Sequence, residues 1–148
     1  MKTQALREHE RQAERATKMD DDAVLDRLFS AIVDRNVASV RSCFTPDARI
    51  WHGYDCITHD VDSFVESLER VFATGLKLRY DDIRRQRTPT GAVQQYLLVV
   101  PSPDGGWTAK PCCLIAHLKG GLIERIQEYL DRTGVLKADT LPVKTPGL

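Results

Sequence analysis

Residues 107–131, WTAKPCCLIAHLKGGLIERIQEYLD, decide how the chain is read. Two runs rich in β-branched and apolar residues, 107–119 and 122–131, are separated only by Gly120 and Gly121. Paired glycines supply the positive φ that a two-residue hairpin turn demands, so the pattern predicts a long antiparallel hairpin. With that loop, Lys119 pairs with Leu122. Counting outwards then pairs Leu118 with Ile123, His117 with Glu124, Ile115 with Ile126 and Cys113 with Glu128. On this count Cys113, Ile115, His117, Glu124, Ile126 and Glu128 share one face, while Cys112, Leu114, Ala116, Arg125, Gln127 and Tyr129 share the other. Both faces mix apolar with polar groups, so both are expected to be covered. Helices cover one; a second copy of the chain covers the other, because so small a protein has few other ways to bury Leu114 and Tyr129.

Upstream of the hairpin, residues 76–87 and 92–100 also read as strands, set off by Thr88-Pro89-Thr90-Gly91 and by Ser102-Pro103-Asp104-Gly105-Gly106. Extending the pairing across the second turn brings Gln95 beside Cys113 on the helix-facing side. Before the strands the period is helical. Val24, Leu25, Leu28, Phe29, Ile32 and Val33 form one stripe behind a cluster of aspartates. Asn36 caps a shorter helix carrying Val37, Val40 and Phe44, which Thr45 and Pro46 end; a short strand follows at 48–52. A third helix begins near Asp60, with Val61, Phe64, Val65, Leu68, Val71 and Phe72 on one face and Gly75 as its stop. Helices first and an antiparallel meander after them make an α+β layout. Residues 1–18 are dense in charge and form an extension, either a solvated helix or an arm; 19–135 form one pocket domain; 136–148 form a tail, extended from 138 onward.

Composition narrows the partners. Lys+Arg and Asp+Glu number 21 each, so no net field exists to hold a nucleic-acid backbone or an anionic membrane surface, and neither partner is expected. The longest apolar run, Leu97 to Val100, is far short of a spanning helix, and the N-terminus has no apolar signal core; the protein is read as cytoplasmic. Cys43, Cys56, Cys112 and Cys113 show no metal spacing and read as buried, reduced thiols. His52 and His59 are separated by a loop rather than a helical turn, so no metal is expected. No phosphate loop or dinucleotide fingerprint occurs, and no cofactor is expected.

The order and spacing of these elements resemble the SnoaL-like branch of the nuclear transport factor 2-like superfamily. The resemblance covers about residues 20–131. It is carried by the two-helix opening, by Trp51-His52-Gly53 at the end of the first strand, and by the closing Gly120-Gly121-Leu122-Ile123-Glu124-Arg125-Ile126-Gln127-Glu128-Tyr129-Leu130-Asp131. It implies a cone-shaped curved sheet, mixed or antiparallel, wrapped around three N-terminal helices, with the charged N-terminal helix or arm as an addition. It also implies a pocket for a small-molecule ligand and a homodimer formed through the outer sheet face. Members include ketosteroid isomerases, polyketide cyclases, epoxide hydrolases, dehydratases and non-catalytic binding modules. Position by position, His52 stands where the isomerases carry their carboxylate base, Leu28 where they carry a tyrosine, and Cys113 where they carry a protonated acid. Glu128 falls near the last-strand aspartate of limonene-type epoxide hydrolases, whose Arg-x-Asp pattern is absent from Val93-Gln94-Gln95-Tyr96-Leu97.

The face count and the resemblance together gather His52, Gln95, Cys113 and Glu128 at one cavity, with Tyr54, Asp55 and His59 beside its mouth. Histidine carries protons near neutral pH and a carboxylate can orient it or share the transfer, so His52 and Glu128 are the candidate acid-base pair. Gln95, Cys113, Tyr54, Asp55 and His59 are candidate ligand contacts. Two function classes follow: a cofactor-independent lyase, isomerase or cyclase acting on an apolar oxygenated small molecule, or a non-catalytic ligand-binding or dimerisation module in which the same groups satisfy one another.

Overall fold

The computed structural model describes residues 3–131 together with Leu136 and Lys137. Helix α1 (Gln4–Asp21) takes in most of the charged extension and runs three residues past it, and its side chains at 4–13 are exposed. Helices α2 (Ala23–Val33), α3 (Val37–Ser42) and α4 (Val61–Ala73) lie against a curved, unclosed sheet. Its strands are β1 (Phe44–His52), β2 (Ile57–His59), β3 (Arg79–Thr88), β4 (Gly91–Pro101), β5 (Trp107–Lys119), β6 (Leu122–Leu130) and β7 (Leu136–Lys137). The order is β2-β1-β6-β5-β4-β3, with β7 pairing β5. Every neighbouring pair is antiparallel except β1 and β6, which run parallel, so the sheet is mixed.

The helix ends form where local chemistry places them. Asn36 and Asp60 accept hydrogen bonds from Ser39 N (3.0 Å) and Ser63 N (2.8 Å), and Gly75, with φ of 75°, follows the last turn of α4. Arg35 joins the two helix ends by donating to the carbonyls of Gly75 and Leu76. The core lies between helices and sheet: Val24, Leu25, Leu28 and Ile32 of α2 and Phe64 and Val65 of α4 pack on Ile50, Leu114, Ala116, Ile123 and Ile126.

Four sequence expectations are corrected. The second helix ends at Ser42, and Phe44 already pairs with Ile123; β1 therefore begins before Pro46, which the register shift between Phe44 and Arg49 accommodates. The short strand β2 lies outside the expected set. Leu136 and Lys137, assigned to the tail, pair with β5, and the extended tail expected at 138–148 lies outside the described residues.

The largest departure lies in the hairpin. The Gly120-Gly121 turn has φ of 59° and 75°, and Lys119 pairs with Leu122 and Leu118 with Ile123 as counted. Beyond that a bulge intervenes. His117 pairs with Arg125, Ala116 with Ile126, Leu114 with Glu128 and Cys113 with Tyr129. One extra residue, Glu124, turns every later β6 side chain to the opposite face. Ile126 and Glu128 join Cys112, Leu114 and Ala116 under the helices, while Arg125, Gln127 and Tyr129 join Cys113, Ile115 and His117 outside. Leu114 is buried by the chain's own helices, and Tyr129 is 47% exposed. Glu124 forms its ion pair with Lys119 at 3.9 Å, and His117 instead takes hydrogen bonds with Thr90 and Arg125, both at 3.0 Å.

Candidate functional site

Strand β1 delivers His52 to the inner face beside β6, where it is the register partner of Glu128. Parallel partners project to one side, so the imidazole and the carboxylate emerge together. The backbone after His52 is held tightly: Gly53 N donates to Glu128 O at 2.8 Å, Cys56 N donates to His52 O at 2.9 Å, and Ile57 N donates to the Asp55 carboxylate at 2.9 Å. This turn brings Tyr54 over the imidazole, their rings stacked at 5.2 Å, and β2 sets the His59 ring 5.9 Å from that of His52. Phe64 of α4 closes the other side at 6.2 Å.

Glu128 accepts a hydrogen bond from the Tyr96 hydroxyl of β4. Tyr96, only 3% exposed, packs edge-on against Phe29 and Tyr80, so an aromatic wall backs the carboxylate. Burial, then the Glu128 charge, raise the Tyr96 and Tyr80 hydroxyls well above their ordinary range. Both stay protonated, as donors. The same two causes push the Cys112 thiol up to about 12, which keeps it from acting as a thiolate. For His52, burial lowers the pKa first; Glu128 opposes that, His59 adds to it and Asp55 opposes it. The imidazole is therefore neutral near pH 7, and its Nδ1 is buried without a hydrogen-bond partner.

Of the seven candidate residues, the inner face brings His52 and Glu128 together, with Tyr54 and His59 in ring contact and Asp55 in the adjoining turn. Gln95 and Cys113 do pair, as counted, but on the outer face. There they line a shallow groove of about 480 Å³ with Gly53, Pro111, Cys112 and Tyr129, so Cys113 is only half-buried, and Cys56 is exposed, against the burial expected of both. Sequence reasoning missed Tyr96, Tyr80 and Cys112. Their signal was present in the apolar pattern: Ile126 belongs with Leu114 and Ala116, and enforcing that match would have exposed the bulge and placed Tyr96 beside Glu128.

No protein-family model matches the sequence, and no curated protein matches it at the level of sequence. Solved structures do match. One, from Xanthomonas campestris pv. campestris and provisionally assigned as a polyketide cyclase, superposes with a TM-score of 0.66 at 12% identity, covering 78% of this chain and 93% of that one. An LEH-like epoxide hydrolase from M. tuberculosis gives 0.64 at 11%, covering 76% and 84%. The epoxide hydrolase/cyclase-like enzyme SalBIII, described as acting in pyran ring formation in the polyether salinomycin, gives 0.63 at 10%, covering 80% and 95%. The chain has the nuclear transport factor 2-like fold these proteins share, as the SnoaL-like resemblance implied.

Proposed function

We propose that the protein is a cofactor-independent acid-base enzyme, a lyase, isomerase or cyclase, acting on an apolar oxygenated small molecule at the inner-face cluster. The observation that supports this most is the placement of His52 beside Glu128 with its Nδ1 buried and unpartnered. A buried nitrogen left without a partner costs about 1–3 kcal/mol, and a bound ligand relieves that cost. Neutral His52 removes a proton from a carbon next to a carbonyl. The C–H bonding pair moves into the carbonyl to form an enolate, and the proton resides on the imidazole until it returns to carbon or to a departing oxygen. Glu128 stabilises the imidazolium formed in that step, and Tyr96 fixes the carboxylate. Tyr54, Asp55 and His59 form the mouth and contact the substrate.

The protein is further read as a cytoplasmic homodimer. No helix among the described residues is long and apolar enough to cross a membrane, and the four cysteines there are free. The outer face offers Trp51 and Tyr129, in ring contact at 5.2 Å, as an apolar patch for a second copy. Tyr129→Glu is expected to shift the mass measured by light scattering from dimer to monomer; unchanged mass would remove the outer face as the interface.

The enzymatic reading is tested with 2-acetylnaphthalene in D2O. Wild-type protein is expected to speed deuterium incorporation into the acetyl methyl group, and His52→Asn is expected to abolish the acceleration. Equal exchange in the two proteins would favour the binding-module reading, in which Tyr96 and Glu128 merely satisfy each other.

A further inference from the structure

A single row of register partners crosses five strands on the inner face: Arg85 of β3, Gln94 of β4, Leu114 of β5, Glu128 of β6 and His52 of β1. Two of its members belong to the proposed acid-base pair. Two others, Arg85 and Gln94, form a clamp with no role in that chemistry. Arg85 is only 16% exposed and donates from Nε to Gln94 Oε1 at 2.8 Å, from Nη2 to Asp26 Oδ1 at 2.6 Å, and from Nη1 to Asp22 O at 3.1 Å and Asp26 Oδ2 at 3.3 Å. Guanidinium has only donors, so the amide atom facing it is the oxygen, and the NH2 must face elsewhere.

Gln94 is 0% exposed, and its Nε2 has no hydrogen-bond partner. Leaving a buried donor unmatched destabilises the fold, whereas an apolar side chain of that shape would carry no such penalty. The clamp therefore holds a donor ready for an acceptor that the chain itself does not supply. Gln94 stands three strand spacings from His52, the proposed base, about 14 Å between Cα atoms, part of which the two side chains themselves bridge. Resting on the reading of His52 and Glu128 as the acid-base pair, we infer that the Gln94 amide, locked by Arg85, is a second binding point. It donates to an oxygen at the far end of a neutral substrate about two fused rings long.

The test compares 2,6-diacetylnaphthalene with 2-acetyl-6-isopropenylnaphthalene, which has the same shape but lacks the second carbonyl. Affinity is read from quenching of Trp51 and Trp107 fluorescence. Wild-type protein is expected to bind the diketone tenfold or more tightly than the monoketone. In Gln94→Glu the acceptor for Arg85 remains and the donor is gone, so the preference should fall within twofold while the urea midpoint holds. Gln94→Met, which keeps the volume and loses both atoms, should show the same loss of preference. A preference that survives in Gln94→Glu overturns the inference, as does equal binding of the two probes or binding of neither by wild type. Deuterium exchange at the acetyl group is followed in the same samples. Exchange without a diketone preference sinks the Gln94 inference alone, whereas preference without exchange sinks the proton-transfer reading.

Discussion

The two faces of the sheet carry the same residue types in opposite settings. Gln94 and Cys112 lie inside, Gln95 and Cys113 outside, each one residue along the strand from its counterpart. Inside, burial keeps Cys112 a thiol and leaves Gln94 with an unmatched donor; outside, Gln95 and Cys113 line a shallow open groove. Residue identity thus says little about role until the face is known, and a single bulge at Glu124 determines the face for all of β6 beyond it.

The largest expected contrast between the faces is in stability. Leu114→Ala should cost about 2–5 kcal/mol in urea unfolding, because it empties a site between helices and sheet. Ile115→Ala, one residue away on the outer face, should cost about 1 kcal/mol or less in dilute protein. Equal costs would mean that β5 does not present Leu114 to the helices. Next comes Tyr96→Phe, which strips Glu128 of its donor and should cost about 1–3 kcal/mol; an unchanged midpoint would remove Tyr96 from the carboxylate's environment.

A smaller effect is expected from pH. Burial sets the folded pKa of His52 below its ordinary value of 6.5. Between those two values the unfolded chain binds more protons than the native one, so stability falls as pH drops below 6.5 and levels off beneath the lowered value. Comparing urea midpoints at pH 7.5 and 5.5 should show this decline reduced in His52→Asn. The same group gives the proposed reaction an acidic limb, with kcat/KM lost as pH falls through the lowered folded pKa of His52 rather than at 6.5. The smallest perturbation is chemical labelling: alkylation of the folded protein at low concentration should modify Cys113 before Cys112, and the reverse order would put Cys113 on the helix-facing side of β5.

The helices were legible because their signals are local. Asn36, Asp60 and Gly75 each act within three residues of the ends they define, and the α2 stripe needs no partner to be recognised. The hairpin turn was legible for the same reason. Glu124 carries no such local mark, since nothing in Leu122-Ile123-Glu124-Arg125 signals an extra residue; only the cross-strand match of Ile126 with Leu114 and Ala116, all buried against the helices, reveals it. The site inherited that error. His52 and Glu128 were gathered by the face count and the resemblance together, while Tyr96 was overlooked because the slipped count turned β6 around and set Gln95 and Cys113 in its place.

The account turns on His52 and Glu128 sharing one inner face closely enough to feel each other's charge. Titration of the His52 ring by NMR, in wild type and in Glu128→Gln, tests this directly. The account predicts a midpoint below 6.5 in wild type and a lower one in the variant, because the carboxylate that favours the imidazolium has been removed. A midpoint at or above 6.5, or one that Glu128→Gln leaves unmoved, would contradict it.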